Sequence, residues 1–437
     1  VSSSWKASID FAAVSDVGMR RSNNQDAHAA IPADSEERLR SRGHLFLVAD
    51  GMGAHAAGEL ASRIASERVP LYYLRQSACE AIDALRDSVE RANRDIYQSG
   101  QQNREFHNMG TTVSTLAILP EGAIVAHVGD SRVYRLRGGR LEQLTFDHSL
   151  VWEMQTSGQI KPDSQLSSSI PKNIITRSLG PAPAVDVDVE GPFAILPGDR
   201  FLLCSDGLTG QIEDAEIGPL LAVLTPDVAA QVLVDLANLR GGPDNITVIV
   251  VDVGEHRKPA PLPPVPKATI PRESWGLATA AVVGLAVAIW LGLSEQWPTM
   301  SVVLLVSLIA AVFAYPGFIP AVKPKSASSA TRSLLRGDSK TGSSGSRRSP
   351  PYRSTLAKPS GELLNQLDQV LAALREAARE RRWKIDWDRV DSILAGDQEL
   401  RKQGQLAGVI RLQAKAIVET MSQLRHQQLD NNVTVLG

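Results

Sequence analysis

Cysteine is nearly absent: Cys79 and Cys204 are the two thiols in 437 residues. Such a pair makes neither a disulfide framework nor a thiolate metal cage, and it fits a reducing compartment. An excess of charge of one sign is missing as well. The 46 Lys and Arg stand against 48 Asp and Glu, a net charge of −2, which argues against a nucleic-acid binder held by a strongly basic surface. Residues 1–10 have no basic start and no continuous apolar run, so no secretory signal is expected there. What is present is the make-up of a folded protein, 43% hydrophobic and 22% charged. At about 150 residues per domain the length suggests two or three units.

Composition divides the chain into successive regions. Residues 5–253 alternate short β-branched runs with helical stretches, notably 59–75 and 79–99, as a compact domain does. Residues 254–274 interleave proline with Arg257, Lys258, Lys267 and Arg272 and read as a stiff basic linker. Within 275–319 lie two uncharged apolar runs, 275–293 and 299–318. Each is close to the ~20 residues a helix needs to cross a membrane. Basic flanks on both sides, with Glu295 the charge between the runs, place both soluble parts in the cytoplasm by the positive-inside rule. The expectation is a protein held at the cytoplasmic membrane by a two-helix transmembrane hairpin. Residues 320–359, rich in Ser, Gly and basic side chains, are expected to be a disordered tether.

From Ser360 onward the pattern turns helical. Leu363, Leu364, Leu367, Val370, Leu371 and Leu374 make one apolar stripe, with Ser360 as its cap. Further helical stretches carry Trp387 to Leu394 and Leu406 to Leu424, separated near Gly396 and Gly404. Residues 360–430 thus read as a small all-α bundle or interaction module. Packing within the chain is favoured over a module for oligomers or partners.

The chemistry lies in the first region. Apolar runs end at Asp50-Gly51-Met52-Gly53, Gly129-Asp130-Ser131 and Ser205-Asp206-Gly207, and Asp244 precedes the β-rich run from Ile246. Four carboxylates at strand ends can converge on one rim. There they repel one another unless protonated or bridged by hard divalent cations, which choose all-oxygen sites. Taken singly, an Asp-Gly after a strand is usually a turn, so the signal is their joint occurrence. Near the start, Arg21 precedes Asn24-Gln25-Asp26, and an Arg fork beside cations matches a phosphate.

In order, Arg21…Asn24-Gln25-Asp26, Asp50-Gly51-Met52-Gly53…His55…Gly58-Glu59, Met109-Gly110-Thr111-Thr112, Gly129-Asp130-Ser131-Arg132, Thr145…Asp147-His148-Ser149, Thr176-Arg177…Gly180, Ser205-Asp206-Gly207-Leu208 and Asp244-Asn245-Ile246-Thr247 resemble the metal-dependent type-2C serine/threonine protein phosphatases in their bacterial form. The resemblance covers most of residues 5–253 and neither the apolar hairpin nor the C-terminal helices. It implies an α/β sandwich, α-β-β-α in layers, with mainly antiparallel sheets and the metal site at one edge. It implies two Mn²⁺ or Mg²⁺ ions held by Asp50, the Gly51 carbonyl, Asp206 and Asp244, and a third held by Asp130 with Asp206. Arg21 would clamp the phosphoryl group and His55 would act as general acid, although a loop histidine with a structural role reads equally well. Gln25 stands where many relatives have Glu, and Ala54 where Gly is frequent. Residues 150–175 correspond to a flap beside the active site and are expected to be a loop that influences substrate choice.

The function implied is a membrane-anchored hydrolase of phosphoserine and phosphothreonine in proteins, acting through a metal-activated water and opposing protein kinases. The alternative is a catalytically silent membrane-bound scaffold that binds phosphoproteins.

Overall fold

The computed structural model describes residues 9–53, 56–160, 170–171, 174–254 and 349–435, with side chains described as far as 427. Its centre is set by strict alternation along the strands. In β3 (His44–Met52), Leu45, Leu47 and Ala49 point to one core while Phe46 and Val48 point to another. In β11 (Ile246–Val253), Val248 and Val250 face outward to helices while Ile249 and Val251 face inward. A strand buried on both faces reads as a continuous apolar run, and here the period of two sorts that run into layers.

The first sheet has the order β1 (Ile9–Asp16), β11, β10 (Arg200–Cys204), β7 (Arg132–Arg137), β8 (Arg140–Gln143) and β12 (Arg353–Leu356). The second runs β2 (Asp26–Ile31), β3, β5 (Val113–Leu119), β6 (Gly122–Val128) and β9 (Asp188–Phe193), with β4 (Gly110–Thr111) paired to the end of β3. All pairings are antiparallel. Phe46, Leu116, Val133, Phe201 and Ile249 fill the space between the sheets. Outside the second sheet lie α2 (Ala57–Arg75) and α3 (Ala81–Gln102), after a short α1 (Glu36–Ser41). This is the expected α/β sandwich.

The segment after His148 departs from a plain loop. Residues Leu150–Thr156 form a helix, α4, because Trp152 is driven into the interior against Phe146, 5.8 Å between ring centroids. Outside the first sheet lie the short α5 (Asp206–Thr209), α6 (Asp214–Val223) and α7 (Pro226–Leu239).

Residues 349–435 belong to the same compact unit as 9–254. The tether expected through residue 359 therefore needs correction at its end, since Arg353–Leu356 adds β12 to the open edge of β8, pairing Arg353 with Gln143 and Thr355 with Leu141. Local contacts hold it there. The Tyr352 hydroxyl donates to Glu190 Oε1 at 2.8 Å, and Ala357 packs so closely on Gly218 that a Cβ at 218 would stand 2.9 Å from its own. Satisfying the edge N–H and C=O groups of β8 outweighs the weak strand propensity of a Ser- and Pro-rich stretch.

The helices follow as α8 (Gly361–Glu380), α9 (Trp387–Ile393), α10 (Asp397–Lys402) and α11 (Leu406–Val435). The Ser360 hydroxyl accepts from the Leu363 N–H at 3.1 Å, the expected cap. Leu363, Leu367, Leu371, Val409, Ile410 and Ile417 share one buried cluster with Leu208, Leu220 and Val232 of the sandwich. Among the described residues no helix is long and apolar enough to cross a membrane. The expected hairpin at 275–319, the linker at 254–274 apart from its first residue, and the tether from 320 to 348 lie outside the described residues.

Candidate metal and phosphate site

The register of the second sheet brings Asp26 and Asp50 opposite each other on β2 and β3. Asp50 is fixed by its backbone: its N–H donates to Thr112 Oγ1 at 2.9 Å, and its carbonyl accepts from the Thr112 N–H and from Thr111 Oγ1. Asp206 opens α5 at the end of β10, Asp130 follows β6, and Asp244 precedes β11. The strand ends thus deliver all four predicted aspartates to one place. Asp26 is a fifth that sequence reasoning left out of the site, although it lies within the quoted Asn24-Gln25-Asp26 run.

The carboxylates act on one another electrostatically. Burial, then the charges of Asp26, Asp206 and Asp130, hold the Asp50 carboxyl well above the usual carboxylate range. Burial pushes Asp26 up to about 7 in spite of the hydrogen bond it accepts from Ser205. Burial followed by Asp206 raises Asp130, and burial followed by Asp244 raises Asp206. Asp26 is only half-buried as a residue, but its Oδ1 is sealed from solvent and without a hydrogen-bond partner. The same holds for Oδ1 of Asp130 and of Asp206.

Among the described residues no three His, Cys, Asp or Glu side chains already surround a single point. The fit to a cation rests on the donors themselves. Sealed carboxylate oxygens with no proton donor, all hard and all oxygen, suit Mn²⁺ or Mg²⁺ and not a soft ion. Gly51 lies where its backbone meets two others: a Cβ there would come within 2.1 Å of the Gly58 carbonyl oxygen and 2.5 Å of that of Gln25. Glycine at 51 and 58 lets β3 and the start of α2 touch.

Arg21 reaches the site too. Its Nη2 donates to Asp244 Oδ2 at 2.7 Å, with 47% and 33% of the two side chains exposed. So open an ion pair is weak, and the guanidinium is free to exchange partners. The Gln25 side chain turns to the Gly53 carbonyl at 3.5 Å. His55 and Ala54 lie outside the described residues. His148 is structural: its Nδ1 accepts from the Gly129 N–H at 3.0 Å, and its Nε2 lies 3.1 Å from Asp188, which Arg177 also holds.

An α-β-β-α sandwich with an all-carboxylate rim and an arginine beside it has the donors that a divalent cation and a phosphoryl group call for. The family profile of protein phosphatase 2C matches residues 19–235. A putative protein phosphatase 2C-type from Streptococcus pyogenes is 39% identical over 240 residues, 54% of this chain and 94% of the relative. The protein phosphatase PhpP of Streptococcus pneumoniae is 36% identical over 256 residues, 57% of this chain and 99% of the relative. The solved serine/threonine phosphatase of S. agalactiae is 38% identical with a TM-score of 0.50, over 56% of this chain and 99% of that one. The chain belongs to the protein phosphatase 2C family, and its enzyme class is serine/threonine protein phosphatase. The matched relatives cover little more than half of it, and α8 to α11 lie beyond the family profile.

Proposed function

We propose that this chain is a membrane-anchored phosphatase that removes phosphate from serine and threonine of proteins and opposes protein kinases. The observation that carries the catalytic part is the set of sealed, unpartnered carboxylate oxygens at Asp26, Asp130 and Asp206 around Asp50. Asp50, the Gly51 carbonyl, Asp206 and Asp244 would hold two divalent cations, and Asp130 with Asp206 a third. When bound, such cations supply Lewis acidity toward phosphoryl oxygens and acidify an attacking water.

The chain's own residues do the rest. Arg21, tied only loosely to Asp244, turns its fork to the non-bridging oxygens of the phosphoryl group as that carboxylate is taken up elsewhere. Thr111 and Thr112 hold the Asp50 backbone, so the carboxylate is oriented before substrate arrives. By the family resemblance His55 would protonate the departing alkoxide. A silent scaffold is not favoured, because a binding module gains nothing from buried like charges.

The anchoring part is supported by the two uncharged runs at 275–293 and 299–318 between basic flanks. Both soluble parts then face the cytoplasm, where phosphoproteins and kinases are. The test uses the full chain in detergent and a phosphothreonine peptide. Phosphate release with Mn²⁺ that stops on chelation supports the catalytic reading, and release that continues after chelation contradicts it. Retention of the expressed chain in carbonate-washed membranes supports the anchor, and its appearance in the soluble wash contradicts it.

A further inference from the structure

Asp130 and Asp206 line a cleft of about 790 Å³, together with residues of α4 and of the start of α6. Part of its wall is formed by Arg353 and Thr355, neighbours on the same face of β12 two residues apart. This wall comes from outside the family profile, which ends at residue 235. The chain returns after residues 255–348 and lays an extra strand beside the catalytic rim.

The Arg353 side chain is held and yet uncommitted. Its guanidinium carbon stands 3.9 Å from the centroid of the Trp152 ring, a stacking contact that fixes its direction. Trp152 is itself wedged against Phe146, which Tyr352 meets edge-on at 5.5 Å. Among the described residues the guanidinium has neither a hydrogen bond nor an ion pair. The acids nearby are engaged. Asp147 takes a forked pair of bonds from Arg132 and another from Gln143, and Asp214 accepts from the Tyr134 hydroxyl at 2.8 Å. Glu213 caps α6.

Arg353 is exposed as a residue, while its guanidinium stacks on the Trp152 ring. There burial and the neighbouring Arg132 push its pKa down from the usual arginine range. A cation so placed is relieved by an anion, and Arg presents a planar fork that matches carboxylate or phosphate oxygens.

We infer that Arg353 is a specificity-determining residue: it binds an oxyanion on the substrate protein, a short distance in sequence from the phosphorylated residue that enters the rim. The inference rests on the phosphatase reading and assigns this strand a task in it. The oxyanion is the carboxylate of an acidic residue or a second phosphate. Trp152 and the backbone of β12 hold the guanidinium in place and take no part in the chemical step.

The test compares the full chain in detergent with Mn²⁺, as wild type, Arg353→Met and Arg353→Lys. Substrates are p-nitrophenyl phosphate and phosphothreonine peptides whose flanks are neutral, basic, aspartate-bearing, or carry a second phosphoserine. In the wild type KM is expected to be lower for one or both of the anionic peptides than for the neutral one. Arg353→Met, which keeps the aliphatic contact with Trp152, should raise that KM about tenfold with kcat held, and Arg353→Lys should recover part of it. Hydrolysis of p-nitrophenyl phosphate should not change. The two anionic peptides separate carboxylate from phosphate as the natural group. Equal KM across neutral and anionic peptides in the wild type, a preference for basic flanks, or a Met variant that weakens all substrates alike would overturn the inference while leaving the phosphatase reading intact. A wild type inactive on every substrate would overturn both.

Discussion

Asp26 and Asp50 stand directly opposite each other on β2 and β3, two carboxylates in cross-strand register at the rim of the sandwich. Like charges so placed destabilise a sheet. Burial, opposed by the Ser205 hydrogen bond, puts Asp26 at about 7, against about 3.9 in an unfolded chain. Without a cation, the folded chain therefore holds a proton that the unfolded chain lacks between those limits. The stability this contributes is complete below about pH 4 and is lost as pH rises through about 7.

A divalent cation relieves that loss, so its effect should grow with pH. Thermal unfolding with and without Mn²⁺ should show a larger rise in Tm at pH 8 than at pH 6. A rise that is equal at both, or larger at pH 6, would contradict a cation bound by these carboxylates.

Gln25 gives a second test of the same site. Its amide turns to the Gly53 carbonyl, and it adds no charge next to Asp26. Gln25→Glu should tighten Mn²⁺ binding in a calorimetric titration, by about tenfold if the carboxylate reaches the ion. Unchanged affinity would place the side chain outside the metal's surroundings.

The buried histidine His44 predicts a pH effect of opposite sign. Burial holds it at about 4, below its ordinary value of 6.5, and its Nδ1 accepts from the Ala33 N–H at 3.0 Å. Its contribution to stability is present above about pH 6.5 and is lost as pH falls from there toward 4. Between pH 7.5 and 5.5 the loss should be about 1 kcal/mol. His44→Gln should remove that part of the pH dependence in denaturant unfolding; an unaltered slope would mean that another group is responsible.

The C-terminal helices should unfold together with the sandwich. Leu367 of α8, 1% exposed, lies in the same cluster as Leu220 and Val232, and Arg425 of α11 pairs with the fully buried Asp235 of α7. Leu367→Ala should cost ~2–5 kcal/mol. Arg425→Met should cost about 2 kcal/mol, less than the ~3–5 of a fully buried pair because the arginine is partly exposed. Both should shift a single unfolding transition that also reports on the active-site domain. Two separate transitions, with only one shifted, would contradict a shared core.

The rim was legible in the sequence because Asp50, Asp130 and Asp206 each end an apolar run, where a strand must stop, and Asp244 precedes one. Asp26 was missed because it opens its strand and is followed by Ala27, Ala29 and Ala30, too small to mark a core face. The helices after Ser360 were legible as an apolar stripe, but a stripe does not name its partner. The surface that covers Leu363 and Leu367 belongs to a domain more than a hundred residues earlier in the chain. Strand β12 was hidden for a similar reason: a four-residue segment reading Arg-Ser-Thr-Leu has almost no pattern, and the open edge of β8 creates it.

The most direct measurement is the rate of phosphate release from a phosphothreonine peptide by full-length Asp206→Asn, beside its Tm. In the proposed reading Asp206 would help to hold the cations; its Oδ1 is sealed and unpartnered, so the substitution removes charge from the rim while keeping the shape of the side chain. The expected result is release lowered by about a hundredfold or more, with a Tm in metal-free buffer at or above that of the wild type. Release within a few-fold of the wild type would contradict catalysis by metal ions at the carboxylate rim.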